Sequence, residues 1–418
     1  MISRGFVAAF MASALAGIVS SMAVAEEPKG QKSDVGVGAY GDAAETVHKR
    51  RFQDLLDAFA AGRSTTLYDT VSPLAGAPNA SPLVRVDSPT IAKSALDDIR
   101  RYAADHRSTA LLVYRNGALE AEHYFGDVTR ETPLKSKSLA KPLGVIAIGR
   151  AINMGAIDSL DQRASDFITE WQGTPKEDIL VRHILDMRSG LLRQGYSAEL
   201  NNILNRAYLH PHHDDVIINY YPLTDEPGGT YEYSNATAEL VAPLIERSTG
   251  VQYETFLEEQ VLGPLGAMGG NIWMNREGGT AHSGCCVQLP AETWLRLAIL
   301  VLNNGVWEGE ALLPDGFVRE MKTSTPQNLH AGMGVFLGHP YKEWRGVGNP
   351  DNDFSQSFHS EAYLDDELVL FDGNGNQVAY IVPSEQLVIL RMGESPPKDT
   401  PWDNAYMPNL ILTALGKD

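Results

Sequence analysis

The chain predicts an α+β fold: one antiparallel sheet built from both chain ends, flanked by helices, with a mostly helical second lobe. Three observations carry this. Two β-rich runs, Thr109 to Tyr114 and Leu119 to Phe125, flank Arg115, Asn116, Gly117 and Ala118, and Asn-Gly between such runs is a strong hairpin signal. Three more runs, Leu364 to Phe371, Val378 to Val382 and Leu387 to Arg391, lie near the end and are joined by Gly- and Pro-containing turns. Between the two groups, from Lys141 to about Leu313, the pattern is mostly helical with long loops. Strands at both ends enclosing a helical middle form one sheet when the ends meet, and the cleft between sheet and inserted lobe is then the natural site.

Composition bounds the rest. With 418 residues, 43% of them hydrophobic, the chain is long enough to bury one large core or two smaller ones. Its net charge of −19 and pI near 5.0 offer no phosphate-neutralising surface, which argues against nucleic acid and anionic membranes and leaves a small neutral or cationic ligand. Arg4 followed by the apolar run Gly5 to Ala25, ending in Ala23, Val24 and Ala25, describes a secretory signal peptide over residues 1–25, a retained membrane anchor being the other reading. The mature protein is therefore expected to be secreted or periplasmic. The only cysteines, Cys285 and Cys286, are adjacent, with Cα atoms too close for an ordinary bridge, so two buried thiols are expected.

In chain order, residues 26–90 read as a flexible N-terminal segment and lead-in, and 91–418 as the folded domain. After the hairpin comes Leu143 to Met154, almost entirely small or apolar, a helix buried on most sides. Further helices are expected at Ala236 to Ser248, Tyr253 to Val261 and Ala291 to Asn304, with a last one from about Asp403 to Leu415, irregular near Pro408.

Chemistry concentrates just ahead of the buried helix. Ser138 and Lys141 are three residues apart and share a face if the segment is helical. A serine hydroxyl is a weak nucleophile until a neighbouring base takes its proton, and a lysine serves when its surroundings favour the neutral amine. At the N-terminal end of a helix, free backbone N–H groups also favour an attacking alkoxide. Farther on, Tyr233 and Asn235 stand two apart where a loop meets a helix, able to face one cavity as proton carrier and hydrogen-bond donor; the triplet with Ser234 equally describes a helix cap. Gly373, Asn374, Gly375, Asn376 and Gln377 sit between two expected strands, either as a plain hairpin turn or as an oxyanion site approached closely through Gly375, with the Asn376 backbone donating. His210, His212, His213, Asp214 and Asp215 lack the spacing of a helical zinc site and read as a solvated polar loop, so neither metal nor cofactor is called for.

Taken in order, these motifs resemble the serine β-lactamase and penicillin-binding protein superfamily, whose sequence runs SxxK, then YxN, then a triplet on a strand. The connecting stretches Val181 to Leu191, Pro227 to Asn235 and Val382 to Arg391 are similar as well. Within the superfamily the chain looks most like class C-type esterases and 6-aminohexanoate-dimer hydrolases, in which the third motif has lost its lysine and become glycine-rich. Gln194 and Tyr196 stand where the latter carry a Glu-x-Tyr step, with glutamine replacing the acid. Pro142 stands where the family has a small hydroxyl residue and limits how early the helix can begin.

The resemblance implies a β-lactamase/transpeptidase-like fold and a serine hydrolase cleaving a small amide or ester through an acyl-enzyme. Ser138 is the implied nucleophile, Lys141 and Tyr233 carry its proton, Asn235 holds Lys141, and the N–H groups of Ser138 and Asn376 stabilise the oxyanion. A DD-peptidase or class C-type β-lactamase is the alternative within the same chemistry. A non-catalytic ligand-binding sensor is the alternative outside it.

Cleavage after Ala25 removes Arg4 and takes the net charge from −19 to −20. N-terminal sequencing of exported protein should begin at Glu26, and an intact Met1 would mean a retained anchor.

Overall fold

The computed structural model describes residues 36–61, 68–193, 195–348 and 356–417. The signal-peptide segment and Gln194 lie outside the described residues. The elements that position the site are, in chain order, helix α1 (Asp42–Ala60), strand β1 (Val71–Leu74), α2 (Lys93–Asp105), β2 (Ser108–Arg115), β3 (Ala118–Tyr124), β4 (Leu134–Lys135), α3 (Ala140–Asn153), α4 (Ile203–Leu209) and α5 (His213–Tyr220). After these come α6 (Asn235–Ala238), α7 (Val241–Thr249), β5 (Gly270–Trp273), β6 (Val287–Leu289), α8 (Ala291–Leu302), β7 (Phe336–Leu337), β8 (Val369–Gly373), β9 (Gln377–Val382), β10 (Leu387–Gly393) and α9 (Tyr406–Ala414).

The two chain ends do meet. The main sheet has the order β3-β2-β10-β9-β8-β7, every pair antiparallel, and β10 joins the C-terminal strands to β2 through Leu387↔Arg115, Ile389↔Val113 and Arg391↔Leu111. Asn116 (φ 49°) and Gly117 (φ 93°) both take left-handed conformations, the backbone that a two-residue hairpin matching the strand twist requires. Successive residues of the central strands face opposite layers. Leu112 and Leu390 join α3 and α8 in one core, while Leu111, Val113 and Ile389 join α2 and α9 in another. Burial on both faces explains why these strands read as continuous apolar runs instead of alternating ones. A smaller sheet, β1-β5-β6-β4, lies in the helical lobe.

Three expectations need correction. The lead-in is not a flexible segment where it is described: α1 presents Ala44, His48, Arg51, Phe52 and Leu55 on one buried stripe. Two of those five residues are polar, which hid the stripe in the sequence. Arg51 donates to both Asp69 oxygens and to the carbonyls of Leu209 and Asn275, His48 Nε2 meets the Leu200 carbonyl at 2.8 Å, and Glu45 on the same helix accepts twice from the buried Arg206. The His210–Asp215 segment is not a solvated loop either. His210 and His213 are fully buried, α5 starts at His213, and Asp214 accepts from Asn275 and Thr280. Finally, Leu364 to Leu368 precede the strand, because Asp365 accepts from the Glu367 amide and turns the chain before β8 begins.

Burial on this scale sets a pH dependence. His48, His210, His282 and His359 are each buried, and desolvation pushes their imidazoles down to about 4, 3, 4 and 4. Folded values below the unfolded value of about 6.5 mean that the unfolded chain binds more protons in that window, so stability present above pH 6.5 is lost as pH falls toward 4. Glu246, raised to about 7 from 4.5 by burial, acts oppositely, as do the carboxyls of Asp186, Glu254 and Asp372, whereas His183, lowered to about 4, adds to the four imidazoles. The urea midpoint should therefore fall steadily from pH 7 to pH 4, and a flat midpoint over that range would contradict neutral burial of these imidazoles.

Candidate active site

Ser138 lies in a 3₁₀ turn, Lys137–Leu139, that runs directly into α3. Pro142 is the third residue of that helix, where a missing N–H has no intrahelical partner to lose, so the helix still begins at Ala140. The turn starts with Lys137 at φ 50°, a left-handed conformation that a lysine rarely adopts. One turn on from Ser138, Lys141 is the second residue of the helix and is 6% exposed.

Three acceptors surround its amine. Nζ is 2.6 Å from Asn235 Oδ1, 2.8 Å from the Gly284 carbonyl and 3.4 Å from Ser138 Oγ, and it lies 4.6 Å from the centroid of the Tyr233 ring. With two N–H bonds directed to Asn235 and Gly284, the remaining direction of the nitrogen points at the serine: as an N–H when the amine is charged, as a lone pair when it is neutral. Asn235 opens α6, and Ser234 caps that helix by accepting from the Thr237 amide at 3.3 Å. The members of the triplet divide between a cap and the lysine. Ser234 is the cap, while Tyr233 and Asn235 face the lysine.

The glycine-rich hairpin meets the serine turn at its first glycine. Gly373, at the end of β8, packs on the serine turn: a Cβ there would lie 3.1 Å from Ser136 O and 3.2 Å from Leu139 N. Gly375 and Asn376 form the far side of the turn, both with positive φ (78° and 58°), and their carbonyls accept from buried Arg391 at 2.6 and 2.9 Å. Their role in the structure is to pin the hairpin to the sheet. Gly373 is the hairpin residue that meets the serine turn, against Ser136 and Leu139 on either side of Ser138.

Tyr196 lines a small cavity with Tyr208, Tyr221 and Asn235, the last of which also accepts from Lys141. Its ring packs edge-on against Phe59 and Tyr208, and burial pushes its hydroxyl up to about 12, so it stays a neutral phenol. The same wall holds Cys285 and Cys286, which are joined as a disulfide with Cα atoms 3.7 Å apart, against the expectation of two thiols. Cys286 takes φ 78°, which turns the backbone so that neighbouring side chains share a side; Trp273, Tyr68 and Tyr208 enclose the pair.

Among the described residues, His213, Glu239 and His282 are the one group with metal-ligand chemistry, their donor atoms within 4.8 Å of one another. The two imidazoles are stacked, 4.0 Å between centroids and 9° apart. A metal sits close to the plane of each ring that binds it, and two parallel planes share no such point, so the group does not fit chelation. Sequence reasoning missed Gly284 and Glu239. A carbonyl acceptor leaves no mark on its own residue type, and Glu239 lies in an otherwise ordinary helical stretch.

Comparison with known proteins places this geometry. A family model described as Beta-lactamase matches residues 96–279, a span that holds Ser138, Lys141, Tyr233 and Asn235. The 6-aminohexanoate-dimer hydrolase of Paenarthrobacter ureafaciens is 23% identical over 348 residues, covering 80% of this chain and 83% of that protein. Among solved structures, a Bacillus anthracis protein provisionally described as a 6-aminohexanoate-dimer hydrolase superposes with a TM-score of 0.61 at 18% identity, covering 88% of this chain and 91% of that one. An octameric penicillin-binding protein homologue from Pyrococcus abyssi gives 0.54 at 16% identity, covering 78% of this chain and 77% of that one. At these identities the structural likeness establishes the fold.

The hairpin geometry separates two substitutions. Gly373→Val, which drives side-chain atoms into the turn that carries Ser138, should abolish labelling of the protein by a fluorophosphonate. Asn376→Ala should retain most labelling, since the contacts of residue 376 with Arg391 run through its carbonyl. The reverse ranking would move the site to the hairpin tip.

Proposed function

Because the chain belongs to the serine β-lactamase and penicillin-binding protein superfamily, a fold family of serine hydrolases, we propose that it cleaves a small amide or ester through a covalent acyl-enzyme on Ser138. The observation that carries this reading is the Lys141 amine, fixed by Asn235 and Gly284 with its remaining direction on Ser138 Oγ at 3.4 Å. Contacts between a nucleophile and its base are commonly long before substrate binds.

In the proposed reaction Ser138 Oγ attacks the carbonyl carbon while its proton passes to Lys141. The tetrahedral oxyanion forms between the N–H of Ser138 and the backbone that leaves Gly373, and loss of one such donor costs about 3 kcal/mol. Collapse breaks the bond to the leaving amine or alcohol, which takes the proton through Lys141 and Tyr233. Water, deprotonated by the same pair, then attacks the acyl carbon and frees Ser138.

A neutral or short aliphatic substrate fits better than a β-lactam. The hairpin Gly373–Gln377 carries no lysine to meet a substrate carboxylate. Arg345, on the neighbouring segment, is committed to Asp372 at 2.7 Å. The relative from Paenarthrobacter supports short amides as the class to try first. Export is part of the proposal, and a disulfide suits an oxidising compartment.

The test is a panel of p-nitrophenyl esters, linear 6-aminohexanoate dimer and a chromogenic cephalosporin, with intact-mass analysis after acylation. Turnover of an ester or amide with the adduct on Ser138, lost in Ser138→Ala, is the expected result. An adduct on Ser136, or hydrolysis of the cephalosporin alone, would overturn the proposed site or the proposed substrate class respectively.

A further inference from the structure

Lys141 is held by two groups that lie far apart in sequence, Asn235 Oδ1 on α6 and the carbonyl of Gly284 in the loop before β6. Both are tied to one fully buried carboxylate. Glu239 follows α6, and its own amide donates to the Asn235 carbonyl at 2.8 Å, closing that short helix. Its side chain crosses to the loop, where Oε2 accepts from the Ser283 amide at 2.7 Å. Oε1 lies 3.3 Å from His282 Nδ1 and Oε2 lies 3.4 Å from His213 Nε2. A Cβ at position 284 would sit 3.0 Å from Glu239 Oε1 and 3.3 Å from the Asn235 carbonyl, so the absence of a side chain at Gly284 is what lets the two segments touch. Ser283 Oγ adds a second tie, donating to the Ala238 carbonyl and accepting from the Ala242 amide.

We infer that Glu239 is a positioning residue for Lys141: it sets the separation between Asn235 and Gly284, and through them the direction of the amine toward Ser138. The inference rests on the functional reading above for its consequence in catalysis, but not for its geometry. A buried carboxylate needs its lone pairs engaged, and here the partners are the Ser283 amide and His282 from the loop that carries Gly284, with His213 on α5 opposite. His282, sandwiched between Trp273 (3.7 Å, 8°) and His213 (4.0 Å, 9°), keeps its edge on the carboxylate because its faces are already packed. The stack thereby fixes Glu239, and Glu239 fixes the loop.

The substitution that tests this is Glu239→Gln, which keeps the volume but offers one acceptor oxygen where there were two. At a temperature where the variant is fully folded, kcat on a p-nitrophenyl ester should fall by about tenfold or more while KM stays within about twofold, because only the alignment of the base changes. A residue that merely holds the fold together would lower the melting temperature and leave kcat per folded molecule intact. The crystal structure of the variant should show Lys141 Nζ drawn away from Gly284 O or Asn235 Oδ1. If Glu239→Gln does not fold, Gly284→Ala keeps the carboxylate and pushes the same contact apart, with the same expected fall in kcat. Wild-type kcat in a folded Glu239→Gln or Gly284→Ala variant, or both Lys141 distances unchanged in the crystal, overturns the inference. Were the wild-type protein to turn over no ester or amide, the functional reading would fall, and the crystallographic distances would still decide this one.

Discussion

An amine placed almost out of reach of water governs the arrangement of this molecule. Lys141 sits on a helix buried around most of its circumference, so its nitrogen cannot turn to solvent for partners. Unmet, it would cost several kcal/mol. The partners come from elsewhere in the chain, 94 residues on at Asn235 and 143 residues on at Gly284. Helix α6 and the loop before β6 must therefore close on α3 together, and the side chains at their junction are chosen for that closure: small at Gly284, hydroxylic at Ser283 and Ser234, acidic at Glu239. The serine turn is the fourth side of the same enclosure, pressed from outside by Gly373.

The N-terminal segment takes part in this closure at one remove. Arg51 on α1 binds Asp69, and Asp69 accepts from Trp273 Nε1 at 3.1 Å. Trp273 in turn lies flat on His282, whose edge meets Glu239. A helix that makes no contact with the serine is thus connected, through one ion pair and one ring stack, to the carboxylate beneath the lysine. Its ion pairs are at the margin of the fold, where removing a partner would leave a buried guanidinium uncompensated.

Legibility in the sequence followed the kind of interaction that fixes each element. The Asn116-Gly117 hairpin, the buried helix after Ser138 and the three closing strands were all readable, because turn chemistry and apolar periodicity are local properties of the chain. Ser138, Lys141, Tyr233 and Asn235 were readable as spaced residue types, and the structure brings them together. What could not be read was whatever depends on pairing across the fold. The stripe on α1 counts Arg51 and His48 among its buried positions, and only Asp69, Leu200 and two distant carbonyls make those residues fit an interior. His210 and His213 looked solvated for the same reason. The pairing of Cys285 with Cys286 turned on the positive φ of Cys286, which nothing in its residue type announces.

The glycine-rich third motif acquires its meaning from this architecture. In a site where the lysine amine is held by neutral acceptors, no side chain of the hairpin Gly373–Gln377 carries a formal charge. Arg391 is turned to the hairpin carbonyls, and Arg345 lies over the Phe336 ring at 3.9 Å and is paired with Asp372 on β8. Moving that pair toward a ligand would strand a carboxylate that burial already pushes above its ordinary range. Recognition in the proposed reaction then falls to shape and to backbone hydrogen bonds on the carbonyl being attacked, a mode that tolerates different leaving groups provided the acyl part is small. That tolerance is why amides and esters belong to one proposal here, and why an anionic ring-fused substrate, which needs a cation at the third motif, stands outside it.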